Sequence, residues 1–339
     1  MNKNKIKICN AKPEVKFDFA VGGQAVIEGV MMRSANFLTI AVRKPNGELL
    51  IRDEAYISLA KKLKAHRIPI IRGVIGLFES LYVGTKALNF SAKVAADDDL
   101  KGHLEGFLKK QKVKINSFQE FLKNTGMTIL VIFSYVFSIT VGLFLFKYIP
   151  LVIAELSKKY FPIIADNYIL FNTVDGLTKI AIFLLYIVLI SLMPDIRRVF
   201  EYHGAEHKSI MTYEHHLDLN PKNAKFQTRF HPRCGTSFIF FVLFLSIFIY
   251  TLIPSQSDFW TKFMERILLL PFIAGVSYEV LKLSAKYQDN FLIKLFIKPG
   301  LAFQHITTKE PNEEELEVGL AALKRALDLE KGREGNKIK

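Results

Sequence analysis

The residues best suited to chemistry in this chain lie in one polar segment between two apolar runs. Five of the eight histidines fall within it. His203 and His207 are four residues apart, so their imidazoles project from the same face of a helix. Two neutral imidazoles placed in this way can fill two corners of a tetrahedral zinc site. Glu206 stands beside them, where it could act as a base or orient a ligand. The spacing therefore predicts a divalent metal, with zinc as the first choice.

The stretch from His203 to His207 also matches the H-x-x-E-H pattern of the inverzincin metallopeptidases. Those enzymes take a further acidic ligand from well downstream, and Glu279 is the candidate for that position here. A carboxylate within a mostly apolar run is costly unless it is paired or coordinated. An ion pair with Lys282 or Lys286 is the structural alternative for this carboxylate.

A second pair of ligand types, His231 and Cys234, precedes the next apolar run. An imidazole and a thiolate together suit zinc or iron. The alternative is that both residues only cap and pack the helix that follows. Arg233 could hold an anionic group or a developing oxyanion. Glu214 or Glu279 could complete the ligand shell, so the candidate metal ligands are His203, His207, Glu279, Glu214, His231 and Cys234, with Glu206 and Arg233 as candidate catalytic residues.

Four apolar runs surround these residues and predict membrane spans at 127–146, 177–193, 237–254 and 267–281. The first has no charge over twenty residues, enough to cross a hydrocarbon core of about 30 Å. Lys179 lies at the edge of the second run, where a lysine can snorkel to the interface. The expected fold is a mainly α-helical polytopic membrane protein with about four transmembrane helices in a lipid bilayer.

The charge distribution predicts which side of the membrane the soluble parts occupy. The chain has 339 residues, a net charge of +14 and 50% hydrophobic residues, which excludes a disordered chain. Forty of its 46 lysines and arginines fall on one predicted side of the spans. The positive-inside rule makes that side cytoplasmic, so we expect a multi-pass protein of the inner (plasma) membrane with both termini in the cytoplasm. Topology explains the basic excess, and no nucleic-acid partner is expected, because aromatic residues do not interleave with the basic ones.

The first 125 residues are predicted to be a cytosolic α+β region. Asn46-Gly47 between the apolar stretches 37–43 and 48–53 is a strong hairpin pattern. Residues 68–96 are apolar but carry a charge every seven residues, which predicts a helix lying in the membrane interface or packed on the bundle. Glycines at 22, 23 and 29 indicate backbone that bends or is approached closely.

The remaining residues divide into a membrane region and a tail. The membrane region, 126–282, holds the four spans and the cytoplasmic loop 194–236 with the His/Glu/Cys site. The cytosolic tail, 283–339, contains an amphipathic helix at 313–331. Asn312 is its N-cap candidate, and leucines at 316, 320, 323 and 327 form one apolar stripe.

Six sequence blocks taken together resemble the YqhQ-type family of uncharacterised bacterial integral membrane proteins. The blocks are Val21–Arg33, Tyr202–Lys208, Tyr213-Glu214, His231–Phe238, Ser277–Glu279 and Thr307–Leu320. The family has been described as predicted metal-dependent enzymes, and the resemblance implies no more than this. Its motif residues fall on Gln24, Glu28, His203, Glu206, His207, Glu214, His231, Arg233, Cys234 and Glu279. In the tail, this chain has Glu315 where the family usually has Gln.

Three functions stay open on the sequence alone. The first is a metal-dependent hydrolase at the cytoplasmic membrane face, acting on an unknown protein or lipid-linked partner. The second is a membrane scaffold or assembly factor with a structural metal site. Structural zinc sites are closed by four protein ligands. Convergence of His203, His207, His231 and Cys234 on one point would therefore favour this function. The third is a small transporter, for which a homo-oligomer would have to build the path.

Overall fold

The computed structural model describes residues 21–110, 129, 132–252, 257–287 and 290–337. Residues 1–20 and 111–125 of the predicted cytosolic region, and the start of the predicted first span at 127, lie outside the described residues. The strands are β1 (Gly22–Val26), β2 (Gly29–Arg33), β3 (Phe37–Arg43) and β4 (Leu49–Ala55).

The described helices are α1 (Ile71–Lys110), α2 (Ile132–Tyr160), α3 (Tyr168–Ser191), α4 (Pro194–Glu214), α5 (Pro221–Lys225), α6 (Gly235–Tyr250), α7 (Phe259–Leu268), α8 (Leu270–Lys286), α9 (Phe291–Thr307) and α10 (Glu313–Lys337). Short helical segments at Leu59–Lys62, Ala65–Arg67 and Pro162–Asp166 connect some of them.

The four strands form one antiparallel sheet in the order β1-β2-β3-β4. The predicted hairpin is confirmed as β3 and β4, and Gly47 supplies a positive φ of 84° at the turn. The prediction was incomplete, because β1 and β2 form a second hairpin whose turn contains Glu28 at φ 52°. The carbonyl oxygen of Glu28 accepts a hydrogen bond from Arg43 N at 2.8 Å, which fixes this turn against β3.

The sheet is covered on both faces. On one face, side chains such as Met31, Ile40 and Val42 pack against Val83 and Ala87 of α1. The other face packs against α4 and α10 through the buried residues Val30, Met32, Ala41, Tyr202, Ile210, Val318, Ala322, Leu323, Ala326 and Leu327. The sheet therefore packs directly against α4, the helix of the candidate site.

The interfacial helix predicted at 68–96 is part of the longer α1. Its three evenly spaced charges contact neighbouring elements: Arg72 pairs with Glu279, Glu79 accepts from the Ser58 hydroxyl, and Lys86 pairs with Glu54. Large apolar side chains remain exposed along the same helix, namely Ile71, Phe78, Leu81 and Tyr82. The charged face thus holds α1 to the rest of the protein.

Two described helices, α2 and α3, are long and apolar enough to cross a membrane. The pair α7 and α8 passes the same test as one span bent by 44°, whereas α6 has only 16 residues. A membrane-spanning helix needs about 20 residues, so the structure carries two or three candidate spans in its described residues instead of the expected four. Exposed apolar side chains cover α2 and α3, as a lipid-facing surface requires.

The span boundaries also differ from those predicted. The predicted span 177–193 belongs to α3, which begins nine residues earlier because Asn167 caps it and accepts from the backbone N–H groups of Ile169 and Leu170. Lys179 is therefore buried near the middle of the helix and does not snorkel at its edge. The first span continues past 146 through a π-helical turn, Phe144–Tyr148. The predicted span 267–281 begins inside α7 and crosses the bend between α7 and α8.

The C-terminal helix extends beyond its predicted end to Lys337. Its start is a reciprocal capping box: Asn312 Oδ1 accepts from Glu315 N at 2.8 Å, and Asn312 N donates to Glu315 Oε2 at the same distance. The leucine stripe is buried against α4, α5 and the sheet. The tail also contains α9, a helix that the sequence did not lead us to expect.

Candidate metal centre

The two central histidines lie on α4, a helix that starts with Pro194 at its first turn and carries Asp195 near its N-terminus. The four-residue spacing places both rings on one face, as predicted, with a centroid separation of 4.5 Å. That face is turned toward the start of α6 and the end of α9. The site therefore forms where the sheet-bound helix meets the apolar helices.

Cys234 joins these histidines as a third potential ligand. It is the N-cap of α6, and His203 Nε2 lies 3.2 Å from its Sγ. The ligand atoms of His203, His207 and Cys234 all lie within 4.8 Å of one another. Neighbouring ligands of a tetrahedral zinc ion are about 3.5 Å apart, so the cluster is close to the required size.

Backbone carbonyl oxygens fix how both imidazoles are protonated. His203 Nδ1 is 2.8 Å from Thr307 O, and His207 Nδ1 is 2.5 Å from Arg229 O. A carbonyl oxygen only accepts, so each Nδ1 carries a proton, and the neutral form of each ring has its lone pair at Nε2. This is the arrangement in which histidine binds a metal through Nε2.

The donor set fits a metal on a further observation. His207 is 1% exposed, and its Nε2 is buried without a hydrogen-bond partner among the described residues. Burial lowers the pKa of His207 below its ordinary value, although the contacts with the Cys234 thiol and with Arg229 O oppose the effect. A buried ring nitrogen beside a thiol suits zinc, which prefers nitrogen and sulfur ligands.

Glu206 stands next to this cluster in a buried position. Its Oε2 is 3.5 Å from His207 Nε2, and the residue is 4% exposed. Desolvation raises the pKa of this carboxyl group, although nearby histidines and a hydrogen bond from the backbone of Gly23 oppose the effect. A Cβ on Gly23 would lie 2.5 Å from Glu206 Cγ. The close approach predicted at the N-terminal glycines is thus the contact between β1 and Glu206.

His231 lies beside the cluster and points to a different partner. Its ring centroid is 5.6 Å from that of His207, and its Nε2 is 3.4 Å from both carboxylate oxygens of Glu214. Glu214 also pairs with the guanidinium group of Arg233. The structure therefore brings His231, Glu214 and Arg233 together as a second group, next to the three ligand candidates.

Gln304 of α9 is a site residue that the sequence analysis missed. Its side chain accepts from His231 N and donates to His231 O, both at 2.8 Å, and holds the loop before α6. No local spacing in the sequence connects Gln304 with a residue 73 positions away. Only the packing of α9 on α6 reveals this role.

Glu279, the predicted downstream ligand, lies away from the cluster. Its Oε1 accepts from Arg72 Nε at 2.7 Å and from Ile70 N at 3.3 Å, which joins α8 to the start of α1. The described ion-pair partner is therefore Arg72, whereas Lys282 adds only a weaker electrostatic attraction and the side chain of Lys286 lies outside the described part of the chain. The tight packing of α1 on α8, with Gly73 against Tyr278, brings this arginine to the carboxylate.

These observations define a class: a mainly helical chain whose described residues hold two or three candidate membrane spans, a small antiparallel sheet and a largely buried His–His–Cys cluster. The chain belongs to the family described as "Protein of unknown function (DUF1385)", which matches residues 68–329. It is 34% identical over 316 residues to the uncharacterized protein YqhQ of Bacillus subtilis (strain 168), covering 92% of this chain and 93% of that protein. The resemblance to the YqhQ-type family is thus confirmed, and no solved structure matches.

Proposed function

We propose that the protein is a membrane-bound, metal-dependent hydrolase whose zinc ligands are His203, His207 and Cys234. The observation that carries the proposal is that ligand atoms of His203, His207 and Cys234 converge within 4.8 Å of one another while backbone carbonyls accept from both Nδ1 atoms. Three protein ligands are the usual number in catalytic zinc sites, which keep one position for water or substrate. Bound there, zinc would supply Lewis-acid polarisation of the group to be cleaved.

The remaining residues have separate roles in this proposal. Glu206 serves as the general base and then as the general acid of the hydrolysis. Burial suits it to both roles, because it raises the pKa of its carboxyl group toward neutrality. The side chain of Arg233 is 40% exposed and can bind an anionic part of the substrate. Glu214 holds that guanidinium group and His231 in place.

The substrate class follows from the position of the centre relative to the membrane. Cys234 caps α6, and α4 starts three residues after the end of α3, so the cluster lies at the ends of apolar helices. This position supports a substrate that is lipid-linked, or a protein partner held at the membrane surface. With α6 and the bent pair α7–α8 as third and fourth spans, both termini and the centre face the cytoplasm of the inner membrane, as the basic residues favour.

A scaffold with a structural metal is the second candidate, and burial favours it. Glu206, His207, His231 and Cys234 are all buried, and the cluster ties α4 to α6 and to the end of α9. A closed site of His203, His207, Cys234 and His231 is not formed, because the His231 ring contacts the Glu214 carboxylate. In this alternative Glu206, 3.5 Å from His207 Nε2, would be the fourth ligand.

Cobalt substitution of the detergent-purified full-length protein separates the two candidates. A catalytic centre with an open position should change its visible spectrum when acetohydroxamate is added, and Glu206→Gln should keep the cobalt. A closed structural centre should ignore acetohydroxamate and lose cobalt in Glu206→Gln. Cys234→Ser should remove the thiolate-to-cobalt absorption in both cases, and failure of the wild-type protein to bind cobalt contradicts both.

A further inference from the structure

A second cluster of buried polar side chains lies within the apolar helices, away from the candidate metal centre. Lys147 of α2, Lys179 of α3 and Arg266 of α7 are buried there with Asp175 and Tyr250. Lys147 and Lys179 both occur near the middle of a candidate span. Charged side chains at such positions are costly and usually functional.

These side chains contact one another directly. Lys179 Nζ donates to Asp175 Oδ2 at 3.0 Å, and Arg266 Nη1 is 2.8 Å from Asp175 Oδ1. Lys147 Nζ donates to Tyr250 Oη at 2.6 Å, and the ammonium groups of Lys147 and Lys179 lie 5.1 and 4.9 Å from the Tyr250 ring centroid. Three cations from three helices therefore surround one phenol and one carboxylate.

The charges of this cluster do not balance within the described part of the chain. Asp175 is the one described carboxylate that pairs with Lys179 and Arg266, and the described partner of Lys147 is the phenol of Tyr250, so three basic side chains share a single acidic one. The neighbouring ion pairs supply no further carboxylate to the cluster, because Glu155 is already shared by Lys158 and Lys262.

One side-chain N–H donor of Arg266 has no hydrogen-bond acceptor among the described residues. The residue is 1% exposed; its Nη2 donates to Asn172 Oδ1 at 2.7 Å, yet its Nε is buried without a partner among the described residues. An unpartnered N–H on a buried guanidinium group is a costly arrangement that a bound acceptor would relieve.

Local structure explains how Lys147 reaches this position. It lies in the π-helical turn Phe144–Tyr148, which interrupts α2. Such turns widen the helix by one residue and occur frequently at functional sites. The turn directs Lys147 to Tyr250 at the end of α6, whereas the opposite end of α6 carries Cys234. The 16-residue length of α6 separates the two sites by roughly 24 Å.

We propose that Lys147, Lys179, Arg266 and Tyr250 form a binding site for a phosphate-bearing anion. A phosphate group carries one or two negative charges and several acceptor oxygens, which match two ammonium groups and a guanidinium N–H, while Tyr250 positions Lys147 and donates its own O–H to Arg266 O. The group could come from free phosphate or from the headgroup of an anionic phospholipid. This site is independent of the metal centre, so either assignment can fail without the other.

Thermal unfolding of the full-length protein in a neutral detergent tests the proposal with two probes. Inorganic phosphate is titrated in one series, and phosphatidylglycerol, with phosphatidylcholine as the reference lipid, in the other. A ligand that binds the folded state raises the melting temperature as its concentration increases. Stabilisation by phosphate identifies a soluble anion, and stabilisation only by phosphatidylglycerol identifies a lipid phosphate.

Lys147→Met should weaken the binding of the effective probe by at least about tenfold, the size expected for one charge-assisted hydrogen bond. Tyr250 keeps its hydrogen bond to Arg266 O at 3.2 Å, so we expect this variant to fold and to be no less stable without the probe. Lys179→Met is the second variant, and the exposed Lys159→Met is the matched control that should bind as the wild type does.

Two results would overturn the proposal. One is a wild-type protein whose melting temperature responds to neither probe, which would make the cluster a purely structural network. The other is an equal response in the wild type, Lys147→Met and Lys179→Met, which would place the anion elsewhere. In all variants the metal content at Cys234 should stay as in the wild type.

Discussion

At the residue scale, the metal proposal depends on backbone carbonyls more than on the histidines themselves. Histidine pairs four residues apart are common on helices, and most bind no metal. What distinguishes His203 and His207 is that Thr307 O and Arg229 O, from two separate segments, accept their Nδ1 protons. Both rings are thereby held in fixed orientations beside the Cys234 thiol. Such preorganisation lowers the cost of binding.

Gly23 offers a test at single-residue resolution. A methyl group on Gly23 would lie 2.5 Å from Glu206 Cγ and displace this buried carboxylate, whereas one on Gly22 would meet nothing within 4 Å. We expect Gly23→Ala to lower the free energy of unfolding by about 1–3 kcal/mol. Gly22→Ala should change it by less than about 0.5 kcal/mol. Equal denaturation midpoints for the two variants would show that β1 does not hold Glu206.

The sequence predicted part of this site from local spacing. His203, His207 and Cys234 were all identified, because a four-residue helical repeat and a helix-start position are local features. Glu279 was placed in the ligand set because the H-x-x-E-H pattern calls for a downstream carboxylate, and its pairing with Arg72, 207 positions away, cannot be read from the sequence. Gln304 was missed for the same reason. Contacts made only by tertiary packing leave no periodic trace in one sequence.

At the scale of elements, the contact between α4 and the segment after α9 keeps the site together. A Cβ on Gly204 would lie 2.0 Å from Lys309 O, and Lys309 N donates to Phe200 O at 2.8 Å. Gly204→Ala would therefore push this backbone away from α4 and move Thr307 from His203. We expect a loss of at least about 2 kcal/mol in the free energy of unfolding.

Gly332→Ala is the matched control for this prediction. Gly332 is an exposed helical glycine, and a methyl group added to it would meet nothing within 4 Å. Alanine should stabilise α10 there by about 0.5–1 kcal/mol. If Gly204→Ala proved as stable as this control in chemical denaturation, the packing described for α4 would be wrong.

The docking of α10 on the sheet predicts a dependence of stability on pH. The Glu330 carboxylate accepts from Ser34 Oγ at 2.7 Å, from Asn36 N at 2.7 Å and from Asn36 Nδ2 at 2.8 Å. Burial opposes its ionisation, but these hydrogen bonds prevail and lower the pKa of Glu330. The stabilisation is therefore complete above the ordinary glutamate pKa and is lost as the pH falls through the lowered value.

Glu330→Gln removes this titration. Between pH 6 and pH 3, the melting temperature of the wild type should fall more steeply than that of Glu330→Gln, because only the wild type takes up a proton at this site. Parallel curves over that range would contradict the role given to this carboxylate.

The elements themselves were predicted unevenly. The β3–β4 hairpin was found because Asn46-Gly47 is a local turn pattern. The β1–β2 hairpin was missed, since its turn uses Glu28 at positive φ, where glycine or asparagine is the usual indicator. The start of α3 was placed too late because polar residues such as Asn172 and Asp175 hid the beginning of the helix. They are buried against Arg266, a contact that no local pattern discloses.

At the scale of the whole molecule, the burial of basic residues changes the interpretation of the charge pattern. Lys147, Lys179, Lys262 and Arg266 were assigned to the outer side of the membrane, yet all four are buried among the helices. The proposed outer surface then retains mainly Lys158 and Lys159. The difference in exposed positive charge between the proposed cytoplasmic side and the proposed outer side is therefore larger than the sequence indicates.

Cysteine labelling of intact cells tests the proposed topology in a Cys9→Ser background. Lys159→Cys should react with a membrane-impermeant maleimide from outside, because it is exposed at the end of α2. Lys222→Cys, exposed on α5, should react only after the cells are opened. Labelling of Lys222→Cys in intact cells would reverse the orientation and place the candidate metal centre outside.

The metal content of the full-length protein tests the central claim most directly. The protein is purified in detergent without chelators, and metal is measured by mass spectrometry for the wild type, His207→Ala and His215→Ala. His215 is exposed and pairs with Gln227, so it is the matched control. We predict about one equivalent of zinc in the wild type and the control, and less than about a tenth of an equivalent in His207→Ala. A metal-free wild type, or full retention of metal in His207→Ala, would contradict the assignment.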